Sequence, residues 1–331
     1  MASIRDVAKH AGVAISTVSK VLNNYPNVSE DTRQRVNQAI RELGYVPNAV
    51  AAALSSKQSG RIALVLNLDT MIHAADEIRM KYLVGALSRA RELNLDVITV
   101  FFSMLKGKTV EEMISYFRSQ SVTGILVFGM NRDHRTLQKL ADRQVFKMVL
   151  VDVPHVNDST SCVWIDQAGA QYEVAKKTME MDKYPYKKVL YISGEKNSFV
   201  TEERIRGIRK LAEEYHLTLT VKNGGYSEKR ARELTFQLGE KQDMIVCGSD
   251  LMAIGAMRAL MAMDVFHPVC GFDGITLMGY AGKQMNTVRQ DFSRIAEEAA
   301  EELSRLLGGG TGREVVLNYE LVRLEYKDIL I

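Results

Sequence analysis

From Arg61 onward, short apolar runs alternate with longer amphipathic stretches, and this alternation constrains the fold more than any other feature. The runs read IALVLNL, DVITVFF, GILVFGM and KMVLVDV, then CVWID, KVLYIS, LTLTV, MIVCGS and PVCGFD. Between them, helical segments are expected over 76–93, 109–119, 168–182, 202–215, 228–239 and 250–263. Runs that are apolar on both faces, separated by helices of this length, are the pattern of buried parallel strands in doubly wound α/β layers. Two sets of about five strands predict two such parallel-sheet subdomains. Ligands in such folds bind outside the carboxyl ends of the strands, and two lobes offer a cleft there.

The first sixty residues follow a different rule. Apolar residues at 4, 7, 8 and 11 share one helix face, with Ser3 as N-cap, Asp6 as its capping-box partner and Gly12 as the stop. A second helix is expected from about Ile15. The stretch VAISTVSKVLN (13–23) has one apolar stripe, Val18, Val21 and Leu22, and one small face rich in hydroxyls. Ser16 and Thr17 in its first turn offer caps and anion contacts. After the turn-forming NNYPN, Ser29 caps a third helix with Thr32, Val36, Ala39, Ile40 and Leu43 inward, ended by Gly44. Helix, glycine turn, helix and supporting helix is the all-α helix-turn-helix plan, and the hydroxyl-rich face is the one that would enter a major groove. Charge agrees with this. The net charge is +3; the first sixty residues hold seven of the 43 Lys and Arg and four of the 40 acids, so the entire excess lies there. A small polyanion-binding head on a neutral body is implied.

The stretches SIRDVAKHAGVAISTVSKVLNN and VSEDTRQRVNQAIRELGYVPNAVAAALSS closely resemble the head of the LacI/GalR family of bacterial transcription repressors. The body resembles the same family, and hence the fold of periplasmic sugar-binding proteins (type I), through ISGEKNSFVTEERIRGIRKL, CGSDLMAIGAMRAL, GFDGITLM and NTVRQDF. The resemblance implies a helix-turn-helix domain over 1–47, a hinge over 48–60, and an effector-binding and dimerisation domain over 61–331. In the last, the N-lobe would take about 61–158 and 291–318 and the C-lobe about 162–288 and 320–331. Crossings between lobes are expected near 154–162, 287–291 and 317–321. Ile15, Ser16 and Lys20 would read bases, with Lys20 able to reach guanine O6/N7. Thr17, Ser19 and Asn23 would contact phosphates, and Leu54 would wedge into the minor groove.

For the effector, the resemblance singles out Arg204, whose forked donors suit paired hydroxyls or a carboxylate, and Asp273 at the end of VCGFD. Ser249 is preferred to Asp250, which is expected to cap the helix that begins there. Asp152, Tyr226 as a stacking platform, Gln290 and Phe292 are further candidates, whereas Trp164 reads as core. After the first body strand many relatives have an Asn-Pro-Phe-Phe-like stretch, and this chain has DTMIHAADEI (69–78) instead. Asp69 and His73 are the polar candidates there. The expected partners are double-stranded operator DNA, a small sugar or sugar phosphate, and a second copy of the chain.

Other classes are disfavoured. GKT at 107–109 lacks the first phosphate-loop glycine, because Phe102 stands there, and GGGTG at 308–312 follows a helix instead of a strand. The six histidines have no metal spacing, there is no Cys-x-x-Cys and no G-x-S-x-G, so neither metal, cofactor nor enzyme activity is expected. Cys162, Cys247 and Cys270 read as reduced core thiols. No run of about 18 apolar residues and no apolar leader core occurs, so a cytoplasmic protein without membrane contact is expected. Two alternatives are a catabolite-control regulator that binds a phosphorylated carrier protein across 76–93 and 290–307, and a soluble sugar-binding protein without DNA binding.

Overall fold

A computed structural model of the chain describes residues 3–22, 28–45, 61–67, 73–181 and 183–323, without side chains for 73–76. Among the described residues of the first unit, Met1–Ser59, there are three helices: α1 (Ile4–Ala11), α2 (Ile15–Leu22) and α3 (Glu30–Leu43). Ser3 and Asp6 close a reciprocal capping box on α1, and Gly12 ends it at φ 65° with its N–H on the carbonyls of Ala8 and Lys9. Ser29 caps α3. Val7, Ala8, Ala11, Val18, Val21, Val36 and Ala39 make the shared core. Each fully buried valine contributes about 1.5–3 kcal/mol, so these small side chains stabilise the unit only modestly.

The second unit, Gly60–Ile331, holds two six-stranded sheets. Its strands are β1 (Arg61–Leu66), β2 (Asp96–Phe101), β3 (Val122–Val127), β4 (Lys147–Val151), β5 (Thr160–Ile165), β6 (Lys188–Ser193), β7 (Thr218–Asn223), β8 (Met244–Cys247), β9 (Val269–Cys270), β10 (Asn286–Arg289), β11 (Glu314–Leu317) and β12 (Glu320–Arg323). The helices around them are α4 (His73–Glu92), α5 (Val110–Ser119), α6 (Arg135–Asp142), α7 (Gln167–Met179), α8 (Phe199–Glu214), α9 (Glu228–Leu238), α10 (Asp250–Ala262) and α11 (Phe292–Leu307). The N-lobe sheet is ordered β11-β5-β4-β3-β1-β2 and the C-lobe sheet β12-β10-β9-β8-β6-β7. Every pairing is parallel except β10 with β12. The inner strands are buried almost throughout, as their unbroken apolar runs require, whereas the edge strands β2, β7, β11 and β12 are mostly half-buried or exposed.

Three differences from the sequence reading bear on the site. The first crossing comes after Ile165 and not at 154–162, because β5 pairs with β4 and β11 and so completes the N-lobe sheet. The cap of α10 is Ser249, whose hydroxyl accepts from Met252 N at 3.4 Å. Asp250 is instead buried: its carboxylate accepts from Thr287 Oγ1 at 2.5 Å and Ile275 N at 2.8 Å, tying β10 and the loop after β9 to α10. Finally, β10, β11 and α6 fall on stretches that the apolar runs do not mark; the two strands have only four residues each.

Candidate functional site

The head presents α2 as predicted, with one face inward and one face open. Val18 and Val21 are buried, Ser16 and Lys20 are exposed, and Ile15 is 45% exposed. Thr17 and Ser19 are half-buried. The residue ahead of α2 is Ala14, whose carbonyl accepts from Thr17 N and Val18 N, so Ser16 and Thr17 stand in the first turn instead of at the cap position. This is the end of the helix where the backbone dipole favours an anion. Asn23 and Leu54 lie outside the described residues.

In the body, a cavity of about 290 Å³ lies between the lobes. All seven body candidates with described side chains line it: Asp152, Arg204, Tyr226, Ser249, Asp273, Gln290 and Phe292. Asp69 lies outside the described residues; His73 begins α4, but its side chain is not among those described. Trp164 does not line the cavity.

Backbone geometry explains how strand ends deliver these side chains. Among the described residues, eight non-glycine residues have positive φ. Five of them (Asn94, Ser121, Gln144, His216 and Asp264) lie just beyond helices and reverse the chain toward the next strand. The other three are Asp152 at φ 60°, Tyr226 at φ 57° and Asp273 at φ 116°, all beyond strand ends and all in the cavity. Sparsely populated backbone of this kind persists where surrounding structure enforces it, and it concentrates at binding sites. Tyr226 is also held by its hydroxyl, 2.8 Å from Thr201 Oγ1 and 3.3 Å from Ser198 Oγ. A Cβ on Gly194 would overlap the Tyr226 ring, so glycine there makes room for it.

Arg204 is 4% exposed, and its guanidinium lies 3.7 Å from the centre of the Phe272 ring. Its Nε donates to Gln167 Oε1 at 2.8 Å, Nη1 to the Gly248 carbonyl at 2.6 Å, and Nη2 to Asp273 Oδ1 at 3.4 Å. Gln290 Nε2 donates to the same oxygen at 3.1 Å, while Gln290 Oε1 is buried without a partner. Burial pushes the Asp273 carboxyl up to about 6, against the opposing pull of Arg204 and Gln290. Asp152 is raised in the same way by burial, opposed by Arg204, Gln167 and Tyr82. One guanidinium thus serves two carboxylates that the fold would otherwise leave costly to ionise.

Sequence reasoning missed Gln167 and Tyr82. The Tyr82 ring packs 4.6 Å from Phe128 and edge-on 5.3 Å from Phe292, centre to centre, forming the N-lobe wall of the cavity. Both rims of the cleft are bridged. On one, Thr276 N and Oγ1 donate to the Glu77 carboxylate, at 3.1 Å and 2.9 Å. On the other, Arg132 N donates to the Asn197 carbonyl at 2.9 Å, Asn197 Nδ2 to Asp133 at 2.5 Å, and the Arg132 guanidinium pairs with Glu202.

A helix-turn-helix head carried on a two-lobed cleft domain defines a DNA-binding transcription regulator with its own effector domain. Comparison with known proteins makes this specific. Residues 3–48 match the model for bacterial regulatory proteins of the lacI family, and residues 70–311 match the periplasmic binding protein domain. The ribose operon repressor of Halalkalibacterium halodurans is 30% identical over 305 residues, 88% of this chain and 86% of that protein. The lac repressor dimer bound to operator and the anti-inducer ONPF superposes with a TM-score of 0.81 at 22% identity, over 97% of this chain and 98% of that one. The complex of the transcriptional regulator CelR with cellobiose gives 0.68 at 26% identity, over 98% and 99%. The chain belongs to the LacI family of bacterial regulatory proteins, and it is a transcription regulator, not an enzyme.

Proposed function

We propose that this protein is a cytoplasmic, homodimeric repressor whose affinity for double-stranded operator DNA is switched by a small sugar or sugar phosphate in the interlobe cleft. The carrying observation is the convergence of Asp152, Arg204, Asp273 and Gln290 on one aromatic-walled cavity. The buried, unpartnered Gln290 Oε1 calls for a ligand that donates hydrogen bonds there, as hydroxyls do. Tyr226, Ser249 and Phe292 complete the contacts, with Asp69 and His73 assigned to the remaining wall. The CelR complex with cellobiose supports the same ligand class.

On the head, Ile15, Ser16 and Lys20 read bases; Thr17, Ser19 and Asn23 hold phosphates; Leu54 wedges into the minor groove from a hinge over 48–60. Dimerisation is supported by Met80, Val84 and Leu87, a stripe at helical spacing on α4 that is 58%, 53% and 40% exposed. No helix among the described residues is long and apolar enough to cross a membrane. Ligand bound to both lobes biases their relative arrangement, and a coupling of about 1–3 kcal/mol suffices to switch DNA binding.

The test is a thermal-shift screen of the full chain against monosaccharides, disaccharides and their phosphate esters. A ligand at 100 times its Kd should raise stability by about 2.7 kcal/mol, and an unchanged midpoint across the panel would sink the sugar assignment. For the head, Lys20→Ala should relax discrimination at one base pair by about 1–3 kcal/mol. Uniform weakening on all sequences would make Lys20 a phosphate contact.

A further inference from the structure

The crossing from β5 to α7 carries a side chain that touches both halves of the cleft. Gln167, the first residue of α7, is 1% exposed. Its Oε1 accepts from Arg204 Nε at 2.8 Å, and its Nε2 donates to Asp152 Oδ1 at 3.0 Å. Arg204 stands on α8 of the C-lobe, whereas Asp152 ends β4 of the N-lobe. A guanidinium offers only donors and a carboxylate only acceptors, so the two neighbours fix the amide's orientation. The bonds continue in both directions. Asp273 accepts from Arg204, and the Tyr82 hydroxyl bonds to Asp152, so one line of contacts joins the loop after β9 to α4.

We propose that Gln167 is a positioning residue that couples the two halves of the effector site. Its amide holds Arg204 and Asp152 at one spacing, so an effector engaging Arg204 and Asp273 alters what Asp152, Tyr82 and α4 present in the N-lobe. This rests on the cleft being the effector site, yet the bridge itself is testable on the ligand-free full chain. The groups that face it are Arg204 and Asp152 directly, with Asp273, Tyr82, Tyr191 and Tyr226 beyond them.

Gln167→Glu turns the donor toward Asp152 into an acceptor and sets two carboxylates against each other. That pair binds a proton more tightly folded than unfolded, so the loss is full at high pH and fades as pH falls. The swapped variant Gln167→Glu/Asp152→Asn reverses donor and acceptor but keeps both bonds. Thermal midpoints are compared at about pH 8 and about pH 5.5, with wild type alongside to subtract the titration of Asp273. Gln167→Glu should melt roughly 4 °C below wild type at the higher pH and recover most of that at the lower, while the swap stays within about 1 °C at both. A single variant that does not fold at the higher pH, beside a swap that does, counts the same way.

Trp164, three residues earlier on β5 and the only tryptophan in the chain, reports on the crossing. Its emission should move in Gln167→Glu and return in the swap. A wild-type midpoint for Gln167→Glu at both pH values, or a swap no better than the single change, overturns the bridge. A lower midpoint with unmoved Trp164 emission overturns the coupling. Absence of any effector in the sugar screen, with the swap result intact, counts against the effector reading and not the bridge.

Discussion

The N-lobe and C-lobe sheets follow one strand permutation, yet they supply the cleft with different chemistry. From the C-lobe come Arg204, Asp273, Tyr226 and Ser249, fixed by strained backbone, a helix cap and a glycine that admits the tyrosine ring. Among the described residues, the N-lobe contributes the aromatic wall of Tyr82, Phe128 and Phe292 and one carboxyl, the half-buried Asp152. It also carries α4, whose outer face is the exposed apolar stripe. Residues beyond strand ends vary without disturbing the sheet below them, so two copies of one architecture divide polar selection from packing and association. The contrast predicts that the C-lobe half tolerates change least.

Arg204→Ala should have the largest effect. It strands Asp152 and Asp273 without their shared cation and should cost about 3–5 kcal/mol in urea unfolding; the response to effector should vanish with it. A loss below about 1 kcal/mol would show that the C-lobe is not the anchored half. Asp273 comes next, through pH. Its carboxyl stands at about 6 against an ordinary 3.8, so the fold favours the protonated form. The stability this adds is complete below the unfolded value and is lost as pH rises through about 6, a change of about 3 kcal/mol. Asp273→Asn should flatten the wild-type profile in that window, and a variant profile parallel to wild type would place the titration elsewhere.

Gly194→Ala drives a methyl group into the Tyr226 ring and should destabilise by about 1–3 kcal/mol. It should also weaken effector binding, because Tyr226 must leave Thr201. An unchanged affinity would remove Tyr226 from the site. Smallest is Tyr82→Phe in the N-lobe, which deletes the hydroxyl bond to Asp152 and keeps the ring, for about 1 kcal/mol. If Tyr82→Phe costs more than Gly194→Ala, the division between the lobes is drawn the wrong way round.

Legibility followed the same division. The C-lobe residues stand in motifs at strand ends, where GSDLMA and VCGFD announce both the turn and the side chain that leaves it. In the N-lobe, DTMIHAADEI departs from the family pattern, and Tyr82 hides in a helix where an aromatic residue reads as core. Gln167 was hidden for a related reason: a glutamine in a helix's first turn reads as solvated, and only the third dimension places Arg204 and Asp152 on its two ends. Ser249 and Asp250 are adjacent cap formers, so one residue of register decided which became cap and which a buried clamp. The alternating runs marked most strands, but β10 (NTVR) holds one apolar residue and β11 (EVVL) only three, so neither pattern rose above that of a loop.

The bridges across the two rims carry a consequence for time. Glu77 with Thr276 and Arg132 with Asn197 and Glu202 join the lobes across the mouth of the cleft. A molecule entering the cleft waits for a rim to part, and one already inside waits for the same event. Entry that must await such an opening is slower than entry into an open cleft, and release slows with it. A promoter governed this way averages its effector over the opening interval: a brief pulse passes unread, and a brief shortage leaves the bound state in place.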